Sequence, residues 1–504
     1  MKYLFIALLS LFSTHAFAAL KPNFIIINID DLGYGDIGPF GSTSRTPNLD
    51  RMAKEGRKLT SHYAAPVCSP SRAALMTGCY PKRSLPIPHV LFPAAAVGLN
   101  PEERTIAEVL KDAGYATACV GKWHLGDQPE FLPTRQGFDS YFGLPYSNDM
   151  GIAADGSKSN VDTPLPIPKT SNTPPATAAK TADDETGLKG AAQPPLPLIE
   201  NNKVVARVRV DEQLGLTQQY TDHALKFIQE HQDKPFFLYL PHTAVHFPLY
   251  PSKNFRGKSP NGLLGDWVEE IDWSVGQILD ALRTLKLDER TLVIFTSDNG
   301  GSLQHGSNNK PLRGTKGQTF EGGIRVPTLA WWPGRIPADS STAAITSMMD
   351  ILPTFAKLAG AKVPDDRKID GVDIWTALSG DSDATPPRDH FFYFRGFTLD
   401  AVRSGPWKLH LALANEAPGT KKETKQPQLF NLTDDIGETK NIAADHPDIV
   451  QRLQTLAQTM KGDLDLEGIG PGCRPLGRSA NPLPVMDKDG KVRPELTGEQ
   501  KSFP

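Results

Sequence analysis

Oxygen ligands stand at the ends of two apolar runs in this 504-residue chain, where they could bind a divalent metal ion. The first run ends at Asp30 and Asp31, and the second, residues 291–296, leads into Asp298 and Asn299. Such runs predict strands buried in a parallel sheet, and open α/β sheets bind ligands at the carboxyl ends of their strands. Carboxylate and amide oxygens suit Ca²⁺ or Mg²⁺ and argue against zinc. Both pairs are also good turn sequences, so a metal site requires them to converge.

A candidate nucleophile, Cys68, begins a predicted helix that stops at Gly78. Pro70 suits the first helical position, and the unpaired N–H groups at a helix start attract anions. Arg72 lies in the same turn, and its planar donors match a tetrahedral oxyanion such as sulfate or phosphate. For a lone Cys-Pro-Ser-Arg, the alternative is a buried structural cysteine before an ordinary helix.

Basic side chains follow two further predicted strands. Lys122 and His124 are two residues apart, so an extended segment would point both side chains the same way. His242 and His246 are four apart, which metal-binding pairs use on helices, but Pro248 argues against a helix here. A surface lysine and core histidines are the alternatives that spacing alone leaves open.

Several motifs, taken together and in this order, resemble the type I sulfatases. Cys68 opens the pattern CxPSRxxxxTG, and residues 121–126 read GKWHLG. The His-x-Pro at His246 and the glycine-rich loop that carries Lys316 match two more segments. Ser147 lies in a string similar to the arylsulfatase A and N-acetylgalactosamine-6-sulfatase branch. The resemblance covers most of residues 22–460.

The fold and cofactors follow from this resemblance. It implies an α/β, alkaline-phosphatase-like sulfatase fold, in which helices flank a large mixed sheet and a smaller C-terminal antiparallel sheet carries a helix. It implies that Cys68 is oxidised to Cα-formylglycine by a formylglycine-generating or anaerobic sulfatase-maturating enzyme. It also implies one Ca²⁺ ion held by residue 68 and four oxygen ligands, which are Asp30, Asp31, Asp298 and Asn299.

The resemblance implies a role for each polar residue around the sulfate. Lys122 contacts the sulfate and the aldehyde-derived oxygen, and His124 acts as a base. His246 and Lys316 bind the sulfate, and one of them protonates the departing alcohol. The set is completed by Arg72 as a charge partner, Ser147 as a sulfate-site residue and Asp298 as a proton acceptor. Arg325 and Glu321 are expected to be structural partners.

The predicted elements divide the chain into two parts. Strands alternating with helices predict a catalytic domain over residues 19–380. Short alternating runs and an amphipathic helix at about 447–460 predict a smaller α+β subdomain, with a surface tail, over 381–504. Residues 151–203 are rich in Pro, Ala and Thr with little periodicity, which predicts a long irregular insertion beside the site.

Composition and the N-terminus predict an exported protein. Residues 1–18 have the three parts of a signal peptide, so we expect a periplasmic or secreted location without membrane insertion. The net charge of −3 gives no overall attraction to nucleic acid. Besides Cys68 the chain has Cys79, Cys119 and Cys473, which allow at most one disulfide among them.

The predicted reaction is hydrolysis of a sulfate ester, with a sulfated sugar of an extracellular polysaccharide or oligosaccharide as first choice. A small aryl sulfate is the alternative substrate. A phosphoesterase of the same superfamily would need a Ser or Thr nucleophile and histidine-rich zinc sites, which the motifs do not supply. A noncatalytic binder of sulfated glycans would keep the basic pocket and leave Cys68 a thiol.

Overall fold

The computed structural model describes residues 21–165, 185–381, 386–411 and 426–499. The predicted signal peptide, residues 1–18, lies outside these ranges, and so do residues 166–184 of the predicted insertion. Within these ranges, no helix combines the length and the apolar character that crossing a membrane requires.

The described residues form seventeen strands and ten α-helices. In the first half of the chain these are β1 (Asn23–Ile29), α1 (Pro47–Glu55), β2 (Arg57–Tyr63), α2 (Cys68–Thr77), α3 (Pro81–Ser84), β3 (Val97–Gly98), α4 (Ile106–Asp112), β4 (Ala116–Val120), β5 (Ser140–Gly143), β6 (Leu196–Glu200), β7 (Lys203–Val208), α5 (Val210–Glu230) and β8 (Phe236–Pro241). In the second half they are α6 (Gly262–Thr284), β9 (Thr291–Ser297), α7 (Glu321–Ile324), β10 (Arg325–Trp331), β11 (Ser340–Thr342), β12 (Thr346–Ser347), α8 (Ile351–Ala359), α9 (Trp375–Ser379), β13 (His390–Arg395), β14 (Thr398–Ser404), β15 (Trp407–His410), β16 (Gln428–Asn431), α10 (Pro447–Gln458) and β17 (Gly477–Arg478).

A large mixed sheet forms the centre of the molecule. Its strands follow the order β11-β2-β10-β9-β1-β8-β4-β5-β6-β7, and β12 also pairs with β2. The five strands from β9 to β5 in this order are parallel, whereas β10 runs antiparallel to β9. Every residue of β1 is buried because the sheet is covered on both faces. The predicted buried parallel strands are therefore confirmed.

Helices cover the two faces of this sheet. On one face, Ile25, Ile27 and Ile29 of β1 belong to a core that includes residues of α1, α5 and α6. On the other face, Phe24 and Ile26 belong to a core that includes residues of α2, α4 and α8. The alternation of apolar side chains along β1 thus supplies both layers.

A four-stranded antiparallel sheet, in the order β13-β14-β15-β16, forms the centre of the C-terminal part, and α10 packs against β14 and β15. The predicted small antiparallel sheet with a helix is confirmed. Sequence analysis missed β14, whose pattern contains Asp400 and Arg403. Both charged side chains are buried, because Asp400 pairs with Arg395 at 2.7 Å and Arg403 bonds to Tyr63.

The predicted insertion is wrong at its C-terminal end, where residues 196–208 form the hairpin β6–β7 at the edge of the main sheet. Leu196 and Leu198 are fully buried there, although Pro197 argues against a strand. Proline is tolerated because β6 pairs with β5 only through Ile199 and Glu200. The missing N–H of Pro197 therefore interrupts no ladder to β5.

Two helix starts also differ from the prediction. Helix α2 begins at Cys68, so Pro70 occupies its third position, where a backbone N–H would still be unpaired. Asn-Pro at residues 100–101 is typical of a helix start, but helix α4 begins at Ile106. Thr105 caps it by accepting from the N–H of Glu108, and the Glu108 side chain accepts from the N–H of Thr105.

Candidate active site

The two predicted pairs of oxygen ligands converge. Strands β1 and β9 are parallel neighbours with Ile29 opposite Ser297, so the residues that follow each strand lie side by side. The backbone N–H of Asp31 donates to Asp298 Oδ1 at 3.3 Å, and Asn299 Nδ2 donates to Asp31 Oδ1 at 2.8 Å. The side chains of Asp30, Asp31, Asp298 and Asn299 are all buried.

Helix α2 places Cys68 against this cluster. The thiol of Cys68 donates to Asp30 Oδ1 at 3.3 Å, and the residue is 2% exposed. Ligand atoms of Asp30, Asp31, Cys68 and His246 all lie within 4.8 Å of one another. Burial and the charges of Asp298 and Asp30 raise the pKa of the Cys68 thiol well above its ordinary value, so as a cysteine it is a neutral, weakly nucleophilic group.

Three cationic side chains pair with the three carboxylates. Arg72 donates twice to Asp298 Oδ2, from Nε at 2.9 Å and from Nη2 at 2.7 Å. Lys122 forms a short ion pair with Asp30. Lys316 lies 2.8 Å from Asp31 Oδ1. Because each buried carboxylate has a cation beside it, the cluster is close to electrically neutral.

The cations set the pKa values of the first two carboxyl groups. Burial alone would raise the pKa of Asp30, but Lys122 and its neighbouring positive charges lower it well below the usual range. Burial also opposes ionisation of Asp31, whose pKa is lowered chiefly by Lys316. Both groups are therefore ionised at neutral pH.

Asp298 differs from its neighbours. Burial and the negative charge of Asp30 raise its pKa to about 6, even though Arg72 acts in the other direction. A carboxyl group with a pKa near 6 can exchange a proton near neutral pH, as a general base requires.

Ser147 joins two of the predicted sulfate-site residues. Its hydroxyl lies 3.2 Å from Lys122 Nζ and 3.3 Å from His246 Nδ1. His246 Nε2 lies 3.7 Å from Asp31 Oδ2. The strand ends of β4 and β8 and the segment after β5 thus bring Lys122, Ser147 and His246 to one side of the carboxylates.

His124 lies beside this group but not in the predicted orientation. Its backbone φ is +64°, so the segment is not extended at His124 and the expected shared face with Lys122 is wrong. Nε2 lies 2.8 Å from the carbonyl of Leu91, and Nδ1 is buried without a hydrogen-bond partner among the described residues. Burial, followed by the charges of Lys122 and Arg72, lowers the His124 pKa well below 6.5 and keeps the imidazole neutral.

His242, the second histidine near this strand end, lies away from the cluster. It packs near the ring of Tyr220 and lies 3.4 Å from Ser274 Oγ, beneath helices α5 and α6. Glu321 and Arg325 pair at 3.2 Å, as expected of structural partners. The four cysteines, including Cys79, Cys119 and Cys473, form no disulfide.

Sequence analysis missed the aromatic edge of this site. Phe247 directly follows His246, and its ring stacks on His305 with centroids 4.5 Å apart. His305 stands in the loop between Asn299 and Lys316, where a lone histidine among glycines was the available signal.

The oxygen-rich cluster fits a hard divalent cation. The side-chain oxygen of Asn299 is buried without a hydrogen-bond partner among the described residues, because its amide group is turned toward Asp31. Together with three carboxylates, this oxygen matches the ligand preference of Ca²⁺ or Mg²⁺. The cluster can therefore hold a metal ion next to residue 68.

Comparisons with known proteins agree with this geometry. The Sulfatase family model matches residues 22–361, and the C-terminal region of aryl-sulfatase matches residues 386–467. The chain is 36% identical to N-acetylgalactosamine-6-sulfatase of Canis lupus familiaris, over 97% of this chain and 95% of that protein. It is 38% identical to arylsulfatase A of Homo sapiens, over 89% of each chain.

A solved structure shares the architecture. The structure of Ps i-CgsB in complex with k-i-k-neocarrahexaose superimposes with a TM-score of 0.68 at 32% identity, covering 88% of this chain and 92% of that chain. The fold is thus the alkaline-phosphatase-like sulfatase fold that the resemblance implied. With a family match over two thirds of its length and an acidic cluster that meets Cys68 at the end of β1, this chain belongs to the sulfatase family of sulfuric ester hydrolases.

Proposed function

We propose that this sulfatase removes sulfate from a sulfated sugar, using one Ca²⁺ ion and Cα-formylglycine made from Cys68. The observation that carries the proposal is the convergence of Asp30, Asp31, Cys68 and His246, whose ligand atoms lie within 4.8 Å of one another. The raised pKa makes the Cys68 thiol a poor nucleophile. This supports the proposal that Cys68 is converted to another group before it reacts.

The described residues would accommodate both cofactors. The ion would be held by residue 68 and four oxygen ligands, Asp30, Asp31, Asp298 and Asn299. When present, the hydrated aldehyde would supply a hydroxyl nucleophile, and the ion would stabilise negative charge on the sulfate oxygens.

Two lysines and a histidine of this chain would bind the sulfate. Lys122, His246 and Lys316 surround the carboxylates and can turn toward a sulfate group that enters beside them. Ser147 lies between Lys122 and His246 and can donate its hydroxyl to a sulfate oxygen. Preorganised donors of this kind supply the largest electrostatic part of catalysis in many enzymes.

Four side chains are candidates to move protons in the proposed reaction. Asp298, with a pKa of about 6, would accept a proton from a hydroxyl group on residue 68. His246 or Lys316 would donate a proton to the leaving alcohol. The neutral His124 would accept a proton in the second half of the reaction, because its Nδ1 is unpaired among the described residues.

Arg72 acts on the site through Asp298. It is fully buried, donates twice to Asp298 Oδ2 and also donates to the backbone carbonyl of Lys122, so its guanidinium fixes these two neighbours rather than the sulfate. Two charge-assisted hydrogen bonds from one planar guanidinium fix the orientation of the carboxylate as well as its charge.

The choice of a sulfated sugar rests on the relatives. One is named for N-acetylgalactosamine 6-sulfate, and one solved structure holds a neocarrahexaose. The predicted signal peptide supports export to the periplasm or the medium, where sulfated polysaccharides occur. A small aryl sulfate is the second candidate, because arylsulfatase A of Homo sapiens is 38% identical to this chain.

The test compares the wild-type protein with Cys68→Ala and Cys473→Ala after co-expression with a maturating enzyme. We expect sulfate release from sulfated sugars by the wild type and by Cys473→Ala, and none by Cys68→Ala, with all three proteins folded. Peptide mass spectrometry should find the aldehyde at position 68, and elemental analysis should find one calcium per chain. Turnover by Cys68→Ala, or an unmodified thiol in an active enzyme, would refute the mechanism.

A further inference from the structure

A partly exposed group of side chains, the rim patch, lies beside the sulfate pocket and consists of Phe247, Leu303 and His305. Phe247 directly follows His246, a residue of the proposed sulfate pocket. The loop that carries Leu303 and His305 is held on the Lys316 loop, since Leu303 N–H donates to Thr315 Oγ1 at 3.0 Å. The patch is therefore attached to two segments that carry residues of the proposed catalytic site.

Exposure rises from the cluster toward this patch, which identifies the open side of the pocket. Cys68 is 2% exposed and His246 is 8% exposed. The Lys316 side chain is 21% exposed, and Leu303 is 51% exposed. A sulfate held at the buried end would therefore direct its alcohol portion past the rim patch.

The His305 ring is held in a defined position. Its ring stacks on Phe247 with centroids 4.5 Å apart and an interplanar angle of 16°, and its Nδ1 lies 3.1 Å from Ser302 Oγ. None of the described residues forms a hydrogen bond with its Nε2. Burial, followed by the charge of His246, lowers the His305 pKa, which favours the neutral ring.

These features match the two sides of a pyranose. The C–H groups of a sugar ring pack on apolar surface, which the exposed Leu303 and the Phe247 ring provide. The hydroxyl groups of a sugar need hydrogen-bond partners, and a neutral imidazole nitrogen can serve as one. A neutral His305 ring can form a hydrogen bond with a sugar hydroxyl group. It has no positive charge that would attract a second sulfate group of the substrate.

We propose that the rim patch binds the sugar ring that carries the scissile sulfate, with His305 Nε2 hydrogen-bonded to a hydroxyl of that ring. The proposal rests on the proposed sugar-sulfatase function and assigns the residue that recognises the saccharide. His305 is then a specificity-determining residue, because a plain aryl leaving group has no hydroxyl for it to recognise.

The test uses His305→Phe and His305→Gln in the matured full-length enzyme. Phenylalanine keeps the ring on Phe247 and removes the hydrogen bond, whereas glutamine keeps a polar group of similar reach. The substrates are 4-nitrophenyl sulfate and three sugar sulfates: galactose 6-sulfate, N-acetylgalactosamine 6-sulfate and a carrageenan oligosaccharide. The sugar sulfate that the wild type hydrolyses fastest is compared with the aryl sulfate by the ratio of their kcat/KM values.

We expect His305→Phe to lower this ratio by about tenfold to a hundredfold, the usual effect of leaving a buried polar partner unpaired. His305→Gln should lower it less. His390→Phe, a histidine change in the C-terminal sheet, is the control for a general effect on folding. An unchanged ratio in His305→Phe, with sugar turnover intact, would overturn the role of the rim patch alone. Hydrolysis of the aryl sulfate without any of the sugars would overturn both this proposal and the saccharide assignment.

Discussion

Single residues in the active-site cluster are strongly interdependent. Asp30, Asp31 and Asp298 are at most 3% exposed in their side chains, and each depends on a neighbouring cation for its charged state. Removing one partner of a buried ion pair leaves an uncompensated charge and costs about 3–5 kcal/mol. Most substitutions here would therefore lower stability and activity together.

Lys316 offers a cleaner test, since its side chain is 21% exposed and sits on a loop. We expect Lys316→Ala to lower kcat by about a hundredfold to a thousandfold, because a preorganised cation is lost from the proposed sulfate pocket. Water can reach Asp31 after the change, so the melting temperature should fall by only a few degrees. Steady-state kinetics and thermal denaturation measure the two effects.

Lys310→Ala is the matched control for this prediction. Lys310 is exposed in the same loop region, and among the described residues its side chain forms no hydrogen bond or ion pair with the cluster. A kcat for Lys316→Ala within threefold of the wild-type value would contradict the proposed role of Lys316 in binding the sulfate.

The sequence predicted which residues form the site better than it predicted how their side chains are oriented. Asp30, Cys68 and Lys122 were identified from their motifs, and the structure brings them into contact. The left-handed backbone conformation of His124 was not predicted. The His124 ring contacts the backbone carbonyl of Leu91, which lies 33 residues away in the sequence. Contacts of this kind leave no local pattern.

At the scale of elements, the C-terminal sheet contacts the segment that follows Lys316. Lys408 on β15 is fully buried and donates to the carbonyl of Thr319 at 2.8 Å and to Glu321 at 2.9 Å. It also lies 2.9 Å from Glu438, which accepts from the backbone N–H of Glu321 at 2.7 Å. The segment just after Lys316 is thus fastened to the smaller sheet.

We expect Lys408→Met to lower the free energy of unfolding by about 3–5 kcal/mol, because it leaves two buried carboxylates without their shared cation. Urea denaturation followed by fluorescence measures the change. Lys440→Met, at an exposed position of the same C-terminal part, should change stability by less than about 0.5 kcal/mol. Equal effects of the two changes would show that the buried lysine is not the link between the sheets.

Element types were predicted where the apolar pattern was continuous. The apolar runs of β1, β8 and β9 predict buried strands, and the structure confirms them. β6 and β14 were missed because Pro197 and Asp400 break the pattern, and only their partners make these residues acceptable in a sheet. Strand propensity depends on such surroundings more than helix propensity does.

For the molecule as a whole, the tail after residue 467 is a structural part of the larger domain. Val485, Met486 and Leu496 are buried in the core beside Val204 of β7. β17 pairs with β3, and Arg474 donates to both oxygens of Glu103 at 2.6 and 2.8 Å. The predicted surface tail therefore also closes one side of the core.

We expect deletion of residues 468–504 to lower the free energy of unfolding by roughly 5 kcal/mol. The estimate follows from three buried apolar side chains at about 1.5–3 kcal/mol each. Deletion of residues 500–504 is the control, since it keeps every described contact of the tail. Chemical denaturation of both variants gives the comparison, and equal stability would show that the tail only lies on the surface.

The sequence by itself determined the chemistry of this protein, because motifs fix residue types and apolar periodicity fixes which elements are buried. It indicated Cys68, the oxygen ligands and the alternating strands and helices. The tertiary structure alone decided the pairing of each buried carboxylate with its cation, the orientation of His124 and the place of His305 at the rim. These depend on contacts between segments up to several hundred residues apart, such as Arg72 with Asp298, whose energies arise only when the fold brings both groups out of water.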